Sequence, residues 1–130
     1  MANYVANRVT IDCDKATFEA IKQFVASDER EFDLENIIPL TKYAYEETWG
    51  SSSNANYGYL KNKTYYFETR WCQPYKAIAT LAEKFPKAKI THKYASDDRG
   101  SCCGVYVYRN GELLSHEKRD RKFANRMLAD

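Results

Sequence analysis

Histidine occurs only twice in this chain, as His92 and His116. Cysteine occurs four times, at Cys13, Cys72, Cys102 and Cys103, and no two of these form a CxxC pair. Zinc is held by Cys and His at recognisable spacings, so a dedicated zinc site is excluded. His92 falls mid-strand and reads as a satisfied structural residue. Five glycines are scattered singly, which excludes a glycine-rich phosphate loop. Long apolar runs are missing too, and nothing approaches a membrane span of about 20 residues. Met1-Ala2-Asn3-Tyr4 lacks the basic start and apolar stretch of a signal peptide. The expected location is therefore cytoplasmic, with the cysteines reduced and packed as small apolar side chains. Adjacent Cys102 and Cys103 could bridge only with severe local strain.

What the chain does have is tyrosine. Aromatics make up 15% of 130 residues, and eleven of them are Tyr. Tyr combines an apolar body with a polar tip, which suits sheet faces and binding surfaces. The length fits one domain with a real core, and there is no internal repeat. The net charge of +2 hides an asymmetry. Residues 1–60 carry five Lys/Arg against ten Asp/Glu, and residues 61–130 carry fifteen against eight. The acidic side peaks at Asp28-Glu29-Arg30-Glu31 with Asp33 and Glu35; the basic side includes Lys118-Arg119 and Arg121-Lys122. Most of these charges read as an ordinary solvated surface.

Residues 4–11 alternate as a first strand, with Val5, Asn7, Val9 and Ile11 on one face. Asp14 caps a helix carrying Phe18, Ile21, Phe24 and Val25 at helical spacing, ending near Ser27. Residues 32–40 read as a short extended segment that Pro39 confines to an edge or an end. Residues 41–62 read as a long insert, with Trp49 and Tyr57-Gly58-Tyr59 flanking Ser51-Ser52-Ser53-Asn54. Those aromatics are either part of a binding surface or a cover for one end of the core.

The strand at 64–71 places Tyr65, Phe67, Thr69 and Trp71 on one face and Tyr66, Glu68 and Arg70 on the other. Pro74 opens a helix with Ile78, Leu81, Ala82 and Phe85 as its stripe, and Pro86 stops it. Residues 89–94 form a strand, 97–100 a turn and 103–108 a further strand. Asn110-Gly111 is a hairpin signal leading into 112–114. A charged tail, 116–130, has only Phe123, Met127 and Leu128 as anchors, enough for a short docked helix or a frayed end. The order predicts a ferredoxin-like βαββαβ sandwich of α+β class over residues 1–115. Its antiparallel sheet carries two helices on one face and an extra C-terminal hairpin strand.

Several motifs fall in one order along the chain. They are Asn7-Arg8-Val9-Thr10-Ile11, Phe32 with Asn36-Ile37-Ile38-Pro39, Trp49 and Tyr57-Gly58-Tyr59. Phe67-Glu68-Thr69-Arg70-Trp71 with Pro74, Leu81-Ala82 with Phe85-Pro86, and then Gly104 and Gly111 complete the series. The series resembles the YubB-type ferredoxin-like domain family of phages, plasmids and integrated elements, over residues 3–115. The resemblance implies the fold and a mobile-element origin within a bacterial host. It brings no catalytic residues and no cofactor. An iron–sulfur cluster is not implied, because the clustered cysteines it needs are absent. The 41–62 segment departs from the family pattern in its Tyr, Ser and Asn content.

Catalysis finds little support. Cys72 could meet His92 or His116 in space, yet nothing local brings them together. Glu46-Glu47 and Asp97-Asp98 fall in loops, where paired acids are usually just solvated. No enzyme activity, cofactor or metal is expected. The expected function is non-catalytic binding, and the concrete form is inhibition of a host defence protein or ribonucleoprotein complex, of the anti-CRISPR type. This rests on analogy with the family. The expected contact residues are Trp49, Tyr57, Tyr59, Tyr66, Arg70, Tyr106 and Tyr108. The alternative is a single-stranded nucleic-acid module that stacks bases on the open sheet face, as RNA-recognition domains do. Tyr4, Arg8, Tyr66, Arg70, Tyr106 and Tyr108 would share that face. Glu68 and the low net charge count against it.

Overall fold

The computed structural model of the chain describes residues 3–98 and 102–129. The first strand, β1 (Tyr4–Asp12), alternates as its sequence requires: Val5, Asn7, Val9 and Ile11 are buried, and the residues between them are not. Asp14 caps α1 (Lys15–Val25), accepting the Thr17 backbone N–H at 3.2 Å. That satisfies one of the donors a helix start leaves unpaired. Ile21 and Val25 form the buried side of α1. After two short helices, α2 (Leu34–Ile37) and α3 (Tyr45–Thr48), come the strands β2 (Asn56–Lys61) and β3 (Thr64–Arg70). Helix α4 (Tyr75–Lys84) starts behind Pro74, ends before Pro86, and buries Ala77, Ile78, Leu81 and Ala82. Strands β4 (Lys89–Ser96), β5 (Cys103–Arg109) and β6 (Glu112–Lys118) follow, then α5 (Arg121–Ala129). Asn110 and Gly111 join β5 to β6 with φ of 57° and 80°. Two positive φ values in a two-residue loop define the turn whose twist matches a hairpin.

The six strands seen among the described residues form one antiparallel sheet, ordered β2-β3-β1-β4-β5-β6. The main core lies between this sheet and the α1, α2 and α4 side, built from Val5, Val9, Ile21, Leu34, Ile78 and Leu81 with their neighbours. The opposite face has a smaller core of its own. Ala95, Cys103 and Val105 meet Phe123, Ala124 and Met127 of α5.

Four expectations need correcting. Residues 32–40 do not supply a strand. Asp33 caps α2 by accepting the Glu35 N–H at 3.0 Å, and the i, i+3 pair Leu34 and Ile37 is buried. The edge strand is instead β2, inside the supposed 41–62 insert, which also holds α3. Trp71 is not part of the buried row. β3 ends at Arg70, and Trp71 turns away with φ of 66°. The open face is not fully open, because the residues expected as a tail continue β6 to Lys118 and then form α5, docked on the β4–β5 half. Of the expected 97–100 turn, Asp97 and Asp98 lie in a turn; Arg99 and Gly100 fall outside the described residues.

Gly104 shows how tightly the second half of the sheet is packed. A Cβ there would lie 2.5 Å from the Glu117 carbonyl oxygen and 2.8 Å from the Tyr94 hydroxyl. The first obstacle is backbone and cannot swing aside. Gly104→Ala is expected to destabilise the protein by about 2–3 kcal/mol, at the upper end for overpacking. Urea unfolding midpoints would measure this, and an unchanged midpoint would mean that β6 yields freely.

Candidate nucleic-acid interface

Helix α5 covers β4 and β5 and reaches β1 at Ala6 and Arg8, leaving the β2–β3 side of that face uncovered. Directly paired residues in an antiparallel sheet point to the same side, so the register shows what this side displays. Arg8 of β1 pairs with Tyr66 of β3, and Tyr66 pairs with Tyr59 of β2. The three form one row. The Tyr59 and Tyr66 rings stack at 5.0 Å between centroids, 10° from parallel. The Arg8 guanidinium lies 5.5 Å from the Tyr66 centroid, on the other side of that row. Its Nη2 donates to the Met127 carbonyl oxygen at 3.0 Å, so the C-terminal turn of α5 fixes its position. A cation is well placed at a helix C-terminus, where unpaired carbonyls gather.

These side chains line a groove of about 260 Å³ together with Ala6, Tyr57 and Glu68. Tyr57 is 85% exposed and sits at a register break in β2 with φ of 55°. The break releases it from the strand's alternation and lifts its ring clear of the sheet. Beside the groove, Lys93 of β4 pairs with Arg8 in register and is exposed. Farther along the same face, Lys118, Arg119, Lys122 and Arg126 line a second depression with Asp120 and Phe123. Tyrosine rings on β2 and β3 and the basic helix α5 beyond them share this face of the sheet.

Of the seven expected contact residues, three meet in the groove: Tyr57, Tyr59 and Tyr66. Arg70 shares their face but lines a different hollow, with Arg30, Tyr45 and Ser52. Trp49 is buried, with its indole N–H donating to the Ile38 carbonyl oxygen at 2.8 Å. Tyr106 and Tyr108 are buried as well, on the helix side rather than the open face. These three present no surface to a partner. Tyr4 and Trp71 are exposed.

Tyr106 belongs to a buried polar ladder that gathers both histidines. Asn7 donates its amide N–H groups to the Val5 carbonyl oxygen and the Thr69 hydroxyl, both at 3.1 Å. Its Oδ1 is therefore the acceptor for His92 Nε2 at 2.8 Å, which sets the Nε2–H tautomer. His92 Nδ1 is buried with no hydrogen-bond partner among the described residues. Burial, with a smaller effect from His116, pushes the His92 pKa down to about 3. The ring stacks on Tyr106, whose hydroxyl accepts from Gln73 Nε2 at 2.8 Å. Tyr106 in turn stacks on His116 at 3.9 Å. Burial raises the Tyr94 pKa, so its hydroxyl stays protonated and donates to His116 Nε2 at 2.7 Å.

The thiols turn elsewhere. Cys72 and Cys102 both donate to Gln73 Oε1, at 3.4 and 3.6 Å, and Cys103 donates to the Arg119 carbonyl oxygen at 3.2 Å. His92 engages Asn7 and His116 engages Tyr94, so neither histidine addresses Cys72. Burial raises the pKa of all three thiols. A nucleophilic thiol needs the opposite shift. Among the described residues no three His, Cys, Asp or Glu side chains cluster to hold a metal ion, and no helix is long and apolar enough to cross a membrane.

A family model described as the ferredoxin-like domain in Api92-like protein matches residues 44–129, about two-thirds of the chain, from α3 through α5. No curated protein and no solved structure matches the chain.

Proposed function

The chain belongs to the family of the ferredoxin-like domain in Api92-like protein, and on that footing we propose that it is a non-catalytic binding protein acting through the uncovered half of its sheet. The occupant that the geometry favours is single-stranded nucleic acid. The observation that carries this is the Tyr59–Tyr66 stack, with Tyr57 raised beside it and Arg8 held against it. Tyr66 is held between Tyr59 and Arg8, so the rings open to solvent are those of Tyr57 and Tyr59; such rings stack on bases of any sequence, and flanking cations meet the phosphates. Lys93, Lys122 and Arg126 supply such cations on the same side of the sheet. The finer family placement, a YubB-type domain of phage, plasmid or mobile-element origin, belongs to this proposal and rests on the motif order in the sequence.

Fluorescence anisotropy with a labelled RNA or DNA ten-mer tests it. Binding is expected to weaken steeply with salt. It should fall at least tenfold in Tyr59→Ala combined with Tyr66→Ala, since each stacked base contributes about 1–3 kcal/mol. No measurable binding at low salt would end this reading.

A protein partner is the second reading, an inhibitor of a host defence complex of the anti-CRISPR type. Tyr43 favours it. That side chain is 85% exposed, and it lines neither the tyrosine groove nor the basic depression. Pull-down from a bacterial lysate with and without nuclease separates the two. A stoichiometric protein retained after nuclease supports the inhibitor, and loss on nuclease supports the nucleic-acid site.

A further inference from the structure

Two of the four thiols share one acceptor. Gln73 is buried, and its Oε1 accepts from the Cys72 thiol at 3.4 Å and from the Cys102 thiol at 3.6 Å. The two sulfurs can therefore be no farther apart than those two distances laid end to end, although α4 and β4 separate the cysteines in the chain. The charge of a Cys102 thiolate is felt at Cys72, where it adds to burial in raising the pKa. The other two thiols lie apart from this pair. Cys103 is buried in the small core under α5 and donates to the Arg119 and Asp120 carbonyl oxygens, whereas Cys102 packs against the main core. Cys13 follows the far end of β1. The register sets Tyr4 against Arg70 and Val5 against Ser96, whose N–H donates to the Cys102 carbonyl oxygen, so Cys72 and Cys102 belong to the start of that strand. Both are only partly buried, which leaves them open to a small reagent.

We propose that Cys72 and Cys102 form a reversible disulfide, a redox switch at the junction of β3 with α4. The oxidant is a small disulfide of the oxidised-glutathione class. One protein thiolate attacks it, making a mixed disulfide and releasing one small thiol. The second protein thiolate then attacks the protein sulfur of that mixed disulfide and releases the other small thiol. The protein gives up two hydrogens and two electrons, and the small disulfide takes them up as two thiols. Both side chains must swing off Gln73 to reach a bond of about 2.05 Å. Cys72 follows β3 and Cys102 precedes β5, so neither lies inside a strand and the swing leaves the ladders in place. The consequence falls on Gln73. Its Nε2 donates to the Tyr106 hydroxyl, and the two thiols are the donors to its Oε1. A disulfide carries no S–H, so oxidation strips both donors from a buried amide oxygen. That cost opposes the bridge, and excess small thiol reopens it. Burial raises both thiol pKa values, so the bridge forms slowly at neutral pH and faster as pH rises.

The full chain is incubated in mixtures of oxidised and reduced glutathione, quenched with an alkylating agent and weighed intact. The fully reduced protein takes four alkyl groups, one on each cysteine. Under excess oxidised glutathione the expected product is a monomer that has lost two hydrogens and takes two alkyl groups. Fragmentation of its peptides should join Cys72 to Cys102 rather than to Cys103, and excess reduced glutathione should restore four reactive thiols. The bridge is expected to form about tenfold faster at pH 8 than at pH 7, because the thiolate fraction rises tenfold per unit below the pKa. Cys72→Ser keeps a hydroxyl donor for Gln73 and should lose the bridge. The wild-type peptide map decides the matter even if that variant fails to fold. Four alkylated thiols under excess oxidant, glutathione adducts with no internal bridge, a bridge through Cys13 or Cys103, or a bridge between two molecules would each overturn the proposal. A Cys72–Cys102 bridge that excess reduced glutathione leaves closed would overturn the switch.

Discussion

Trp49→Ala is expected to lower unfolding stability by about 3–5 kcal/mol, the cost of emptying a large aromatic site in a packed core. Three separate links run through this residue. Its ring is 1% exposed and meets Tyr45 edge-on at 5.9 Å. Its indole N–H satisfies the Ile38 carbonyl oxygen at 2.8 Å. Its own carbonyl oxygen accepts the backbone N–H groups of Lys76 and Ala77, at 3.0 and 3.3 Å, in the first turn of α4. The last contact survives mutation only if the backbone stays in place, and the side chain is what anchors it. The residue therefore joins the α2–α3 segment to the start of α4. Trp49→Phe should keep most of the packing yet leave the Ile38 carbonyl without its donor, at about 1–3 kcal/mol. Urea unfolding of the three proteins at neutral pH measures the series. A Trp49→Ala protein as stable as the wild type, but impaired in partner capture, would show that the ring is a contact residue after all.

Trp49 also illustrates why parts of the site were hard to read from sequence. Its motif context pointed to importance and left surface and core undecided, since an indole suits either. Alternation alone puts Tyr106 and Tyr108 on the wrong face for a different reason. Period-2 alternation says which residues of β5 share a face, and polarity normally says which face is wet. In β5 that cue is missing, because Val105 and Val107 are as apolar as the tyrosines they alternate with. The cause is structural. The tyrosines lie in the main core on the helix side, and Val105 and Val107 pack with α5 on the other.

β1 and β3 gave no such trouble. Arg8, Glu68 and Arg70 mark the wet side plainly. The Tyr59–Tyr66 pair was beyond reach of the sequence, since it depends on the register of β2, and β2 is hidden by the break at Tyr57. α2 and α3, four residues each, are too short to show a helical period. α5 was legible in its Phe123 and Met127 spacing, but not which face it would cover. The strand pattern and the two long helices therefore follow from alternation and capping. The site depends on pairing between segments distant in the chain, which local pattern does not encode.

Acid is expected to weaken this fold well before its carboxylates titrate, and His92 is the reason. The ring is fully buried, its Nε2–H is committed to Asn7, and burial holds its pKa at about 3 against 6.5 for a free histidine. Above pH 6.5 the residue is neutral in both the folded and unfolded states, and it makes no pH-dependent contribution. Below that, the unfolded chain takes up a proton that the folded protein refuses. Proton uptake by the unfolded state alone favours unfolding, so stability falls with pH, by about 1.4 kcal/mol per unit while the difference lasts. Between pH 7 and pH 5 the loss is about 2 kcal/mol. Asp14 and Asp33 have pKa values lowered below 3.8, so their contribution is lost only at lower pH, beneath this window. His116 also has a lowered pKa and acts in the same direction. His92→Gln keeps a donor for Asn7 and removes the titrating group. Urea unfolding of wild type and His92→Gln at pH 7, 6 and 5 should show the wild-type slope flattened in the variant. Parallel slopes would mean that the ring, or the Asn7 network around it, opens to water at mild acid, and that the buried ladder is not the source of acid sensitivity.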